Sequence, residues 1–128
     1  MITEQYVSFE IAKLLKEKGF NELCQYAYLS YGYRFSSRNT CNTSVIIKDS
    51  RCNCTAPTQQ MVMQWLREKH NLCIIIFPIV TDDDGSAGCL WDYVISKHLI
   101  EQKRSKLAYE KYEDAVEDAI KYCLENLI

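Results

Sequence analysis

Pro57-Thr58-Gln59-Gln60-Met61-Val62-Met63-Gln64-Trp65-Leu66-Arg67-Glu68-Lys69-His70-Asn71 runs directly into Leu72-Cys73-Ile74-Ile75-Ile76-Phe77-Pro78-Ile79. The change of period between the two halves decides the fold class. Val62, Trp65, Leu66 and Lys69 recur at helical spacing, with Met61 beside them, which makes an amphipathic helix. Pro57 biases Ala56 toward extended backbone and so marks the helix start at Thr58, while Asn71 is a suitable stop. The following run is apolar on both alternating faces. A central strand covered on both sides reads this way, and Pro78 marks its end.

Outward from this pair, the remaining elements follow the same rules. Ser8 is a good N-cap for a helix whose apolar stripe is Phe9, Ile11, Ala12, Leu14 and Leu15, with Lys13, Lys16, Glu17 and Lys18 toward water. Gly19 stands where a left-handed residue would stop it. A last helix is expected from Tyr112 to Leu127. Glu113, Asp114, Glu117 and Asp118 suit the positive end of its dipole, and Ala115, Val116, Ala119, Ile120, Cys123, Leu124 and Leu127 form one stripe.

Residues 81–88 read as a turn and residues 90–99 as a strand, so that 72–99 forms a hairpin with a long loop. A second turn is expected at 102–105, followed by an edge strand at 107–109. The tyrosine-rich stretch 23–35 reads as one or two strands around Gly32, and Val45-Ile46-Ile47 as another short one. Residues 36–42 and 49–55 read as polar and irregular. The expected fold is α+β, with three helices packed on one face of a small, mainly antiparallel β-sheet in the order α-β-β-α-β-β-α.

At 128 residues the chain fits a single domain, 1–128. With 48% hydrophobic and 25% charged residues it can bury a core without staples. The formal net charge of −2 argues against a protein that lives on phosphate contacts, though it leaves room for a local basic patch. Residues 1–5 carry none of the marks of a signal peptide, and the longest apolar run is far shorter than the ~20 residues a membrane helix needs. A cytoplasmic protein is expected, with no membrane association. Seven cysteines, an odd number, fit that compartment better than a disulfide framework.

Catalytic and metal chemistry find little footing. Cys52-Asn53-Cys54, with Cys41 upstream, would place two thiols on one side if this stretch were a strand. The second ligand pair of a structural zinc site is missing, so the plainer reading is small hydrophobes with no metal, and binding by Cys41, Cys52 and Cys54 is left open. His70, closing a helix, and His98, on a strand, are the only histidines. Neither belongs to a nucleophile motif, so no enzyme and no cofactor are expected. Asp82-Asp83-Asp84-Gly85 fails the EF-hand pattern, since its sixth and twelfth positions hold Ala87 and Tyr93.

Two surfaces remain. Tyr31 and Tyr33 are the tyrosines expected to be exposed, and aromatic anchors dominate protein interfaces. Lys97, Lys103, Arg104 and Lys106 form a basic cluster on an expected hairpin turn and could touch phosphates. The plainer reading is a charged edge that discourages sheet aggregation.

Three segments carry a resemblance: Ile2-Thr3-Glu4-Gln5-Tyr6-Val7-Ser8-Phe9-Glu10 running into 12–20, then 56–71, and finally 112–128. Together they resemble a family of short uncharacterised proteins encoded in phages, prophages and mobile elements of gut-dwelling anaerobic bacteria. The resemblance covers the three helices and implies a phage-associated origin and a bacterial cytoplasm, with no activity to carry over. The segment 36–53 reads as the variable part. The expectation is therefore a non-enzymatic protein-interaction module, with Tyr31, Tyr33 and 36–53 meeting a host or phage protein. The alternative is a nucleic-acid-binding accessory protein using the basic cluster.

Overall fold

The computed structural model describes residues 2–45, 50–79 and 89–128. They form helices α1 (Phe9–Glu17), α2 (Gln59–His70) and α3 (Tyr112–Tyr122), and strands β1 (Cys24–Leu29), β2 (Arg34–Thr40), β3 (Cys52–Thr55), β4 (Leu72–Ile79), β5 (Leu90–Lys97) and β6 (Ile100–Arg104). The α+β class with antiparallel pairing stands. The strands are shared between two three-stranded sheets, β2-β1-β3 and β4-β5-β6. Residues up to Val62, with Ile128, make one compact unit, and Met63–Leu127 make another. No helix among the described residues is long and apolar enough to cross a membrane.

The helix boundaries sit where the capping residues put them. Ser8 Oγ accepts the amide of Ile11 at 3.2 Å, and Gly19 takes φ +90 just past the end of α1. Thr58 Oγ1 accepts the amide of Met61 at 3.2 Å, and Asn71 stops α2 at φ +55. The apolar stripe of α3 is buried through Ala115, Val116, Ala119 and Ile120. It continues through a π-helical turn, Cys123–Leu127, in which Cys123 and Leu124 are also buried.

In the first unit β1 is the middle strand. Its Tyr28 face meets α1, with the Tyr28 and Phe9 rings 5.3 Å apart and the Tyr28 hydroxyl donating to the Val7 carbonyl. The opposite face carries Ala27 and Leu29, which pack with Val45 and Cys52, and Phe35 lies against that cluster. The stretch 36–42, read as irregular, is strand as far as Thr40, and β2 absorbs its extra residues as a bulge. Cys24 pairs with Thr40 and Tyr26 with Ser36, while Arg38 and Asn39 take φ +56 and +54. Thr40 and Asn42 are buried, and Asn42 bridges the Phe20 carbonyl (2.7 Å) and the Thr55 amide (2.9 Å). Residues 52–55, also read as irregular, form β3. Val45, expected in a strand, is helical instead and donates its amide to the Cys41 carbonyl at 2.9 Å. Ile46 and Ile47, from the same expected strand, lie outside the described residues.

In the second unit α3 lies against β4 and β5. The covered sheet face carries the paired residues Ile74 with Ile95 and Ile76 with Tyr93. The hairpin β4–β5 is as expected, but β4 is an edge strand rather than a central one. Its second face is open, with Cys73 and Ile75 exposed. That position also explains Pro78, which pairs with Trp91 inside the strand. An edge strand can lack one ladder donor, whereas a central strand cannot. The expected turn 81–88 lies outside the described residues.

The next turn is earlier than expected. Lys97 pairs with Ile100, so His98 and Leu99, at φ +50 and +67, make a two-residue loop of the mirror-image kind that matches strand twist. The stretch 102–105, expected as a turn, instead ends β6, and Gln102 is the extra residue of a bulge between the pairs Ile95–Lys103 and Ser96–Glu101. The expected edge strand at 107–109 is reduced to one bridge, Trp91 with Tyr109.

Gly19 and Gly32 separate two costs of a side chain. Both have positive φ, but a Cβ on Gly19 meets nothing within 4 Å, whereas one on Gly32 would lie 3.1 Å from Phe9 Cδ2. Gly19→Ala is expected to cost about 1 kcal/mol of backbone strain, and Gly32→Ala measurably more in urea unfolding. Equal losses would remove the contact with Phe9 from the account.

Candidate functional site

The β1–β2 connection is short and held at several points. The Leu29 amide donates to the Tyr33 carbonyl and the Gly32 amide to the Leu29 carbonyl, both at 2.9 Å, and the Ser30 amide donates to the Arg51 carbonyl at 3.0 Å. Gly32, at φ +92, brings the backbone under the Phe9 ring. Phe9 in turn carries Lys13 Nζ 4.5 Å from its centroid. Tyr31 and Tyr33 flank that glycine and point away from the core, 75% and 63% exposed. The tip is thus a fixed turn presenting two aromatic rings to solvent.

Beside the tip, Arg34 lies over two more tyrosines. Its guanidinium carbon is 4.1 Å from the centroid of Tyr6 and 5.6 Å from that of Tyr26, and those rings meet edge-on at 5.1 Å. A guanidinium stacked on an aromatic face is favourable even near water. The richness of 23–35 in tyrosine signalled strand here, and Tyr26 and Tyr28 lie in β1. Nothing in the sequence signalled that Arg34 would join Tyr6, a residue outside the sheet.

The basic residues are not gathered on one turn. Lys97 ends β5 and Lys103 and Arg104 lie on β6, while Lys106 follows with φ +59. Arg104 is bound to Glu101 at 2.9 Å and lies 5.9 Å from the Phe77 centroid. Lys103 Nζ lies 5.3 Å from the centroid of Tyr122. The backbone here is organised by Asp92, a buried carboxylate that the sequence reading passed over. Asp92 accepts the amide of Tyr93 at 2.8 Å, the amide of Lys106 at 3.1 Å and the hydroxyl of Ser105. A buried carboxylate with three donors is satisfied and serves as a structural clamp.

The cysteines fall apart as a ligand set. Cys54 pairs with Tyr28 and Cys52 with Leu29, so an extra residue at Asn53 shifts the alternation. Cys54 therefore shares the face of Tyr28, and Cys52 packs with Ala27, Leu29 and Val45 on the other. The two thiols expected on one side of a regular strand sit on opposite faces. Among the described residues no three His, Cys, Asp or Glu side chains converge as a metal site.

Of the two histidines, His70 closes α2 as expected. His70 packs its ring 4.7 Å from that of Trp65. Burial, then the charge of Lys97, lowers its pKa and disfavours the imidazolium. His98 is in the β5–β6 turn, not on a strand.

That turn and the start of β6 expose a pair of side chains the sequence reading missed: Leu99 is fully exposed and Ile100 66% exposed. Neither is a usual turn residue, so the sequence signal for the turn was weak. Comparison with models of known protein families, with curated proteins and with solved structures finds no match.

Thiol reactivity follows from these placements. Hydrogen bonds from the hydroxyls of Ser44 and Thr43 lower the Cys41 pKa, and this thiol is accessible. Burial pushes Cys24 and Cys54 up to about 11 and Cys123 to about 12. Since the thiolate is the nucleophile, iodoacetamide at neutral pH should label Cys41 well before those three in the folded protein. Peptide mass spectrometry reads the order. Labelling of Cys54 or Cys123 at the rate of Cys41 would contradict the burial described.

Proposed function

We propose that this protein is a non-enzymatic protein-interaction module whose contact is centred on Tyr31 and Tyr33. The observation that carries the reading is the pair of tyrosine rings held exposed on a tightly bonded turn. Tyrosine supplies a large amphipathic contact at low entropic cost, and a turn already fixed before binding reduces that cost further. Arg34, stacked beside the tip, adds a cation of the type enriched at contact centres. The resemblance of the helical segments to a mobile-element family suggests a bacterial host or phage protein as partner, met in the cytoplasm.

Nucleic-acid binding through Lys97, Lys103, Arg104 and Lys106 has less support, because Arg104 is already paired with Glu101 and the other cations are spread along two strands and the segment after β6. Affinity capture from bacterial lysate, with wild type and a Tyr31→Ala/Tyr33→Ala variant side by side, tests the leading reading. Anchor tyrosines each contribute roughly 2 kcal/mol or more, so the variant should lose the captured proteins while keeping its circular dichroism spectrum. Capture of the same proteins by the variant, or of none by the wild type, would overturn it. A mobility shift at low salt that vanishes as salt rises would favour nucleic acid instead.

A further inference from the structure

The second unit contains a cavity of about 300 Å³ between β5–β6 and the end of α3 with its π-helical turn. Small-molecule sites begin at about this size, ~300 Å³. Its walls include Tyr93 and Lys103 from the strands and Asp118, Lys121, Tyr122 and Glu125 from the helix and turn. A π-helical turn widens the backbone spiral, and such turns recur at functional sites.

The charges around this cavity are balanced in number, and two of them, Lys103 and Asp118, are not spent on the others. Lys103 rests on the Tyr122 ring and has no ion-pair partner among the described residues. Asp118 accepts the Tyr109 hydroxyl on Oδ2, which leaves Oδ1 without a partner among the described residues. Lys121 and Glu125 form a loose pair at 3.8 Å, each well exposed. A free ammonium and a half-used carboxylate line one cavity without meeting. A simple anion would gain from Lys103 but be repelled by Asp118 and Glu125, and a simple cation would suffer the converse. A ligand carrying both charges a few bonds apart satisfies both walls.

We propose that this cavity binds a free α-amino acid, its carboxylate on Lys103 and its ammonium on Asp118. Tyr93 and Tyr122 supply aromatic walls for the side chain. Burial, then the Asp118 charge, pushes the Tyr93 phenol up to about 12, so it stays a neutral hydroxyl able to donate to the ligand carboxylate. The site is independent of Tyr31 and Tyr33.

The common L-α-amino acids, screened singly against the full chain by ligand-observed NMR, provide the first test. At least one should bind saturably below ~10 mM. Its N-acetyl and amide derivatives should each bind about tenfold more weakly, since each loses one charge-assisted contact. Lys103→Gln should then abolish the preference for the free acid over the amide. Asp118→Asn, which keeps an oxygen for Tyr109, should abolish the preference for the free amine over the N-acetyl form. Glu125→Gln, on the exposed rim, should weaken the amine end without touching the fold. No saturable binding by any amino acid, equal affinity for the blocked derivatives, or preferences unchanged in the variants would overturn the proposal.

Discussion

Successive residues of a strand face opposite sides of its sheet, and in β1 both sides are occupied. Tyr28 looks toward α1, where its ring meets Phe9 and its hydroxyl takes the Val7 carbonyl. Ala27 and Leu29 look the other way, into the cluster with Val45 and Cys52. A one-residue slip of β1 would exchange these faces, placing the tyrosine in the aliphatic cluster and Leu29 against α1. The register of β1 therefore settles where its hairpin turns, and so where Tyr31 and Tyr33 stand. Phe9 closes the chain of constraint, since its ring packs with that of Tyr28 and leaves no room for a Cβ at position 32 without a shift.

The second unit rests on a different constraint. Ile74, Ile95 and Tyr93 face the buried stripe of α3, while the return of the chain after β6 is held by the Asp92 carboxylate through Ser105 and Lys106. Lys103 and the residues after it thereby come to face the end of α3. The cavity at that end is a product of this clamp and of the π-helical turn, neither of which follows from hydrophobic period.

What could be read from the sequence follows the distinction between local and non-local causes. Helix ends were legible because Ser8, Gly19, Thr58 and Asn71 act on backbone groups within a turn of themselves. Around Gly32 the sequence left one strand or two open, while the exposure it gave Tyr31 and Tyr33 matches the structure. Strand position was not legible. The apolar run in β4 has the composition of a covered central strand, yet its second face is open and Pro78 fits only because it lies at an edge. The continuation of β2 beyond Phe35 and the whole of β3 were missed because their stability comes from pairing with β1, not from their own side chains. The bulge at Asn53, which parts Cys52 from Cys54, is likewise a product of pairing. The turn at His98 and Leu99 lacks the glycine or asparagine that would announce it.

A binding surface that is fixed before its partner arrives must be stiff in the free protein, and backbone ¹⁵N relaxation of residues 29–33 measures this directly. The account predicts order parameters near ~0.85, the value of rigid backbone, through Ser30, Tyr31, Gly32 and Tyr33. Values below ~0.6 would show a turn that moves freely on the fast timescale, and would contradict a preformed tyrosine contact.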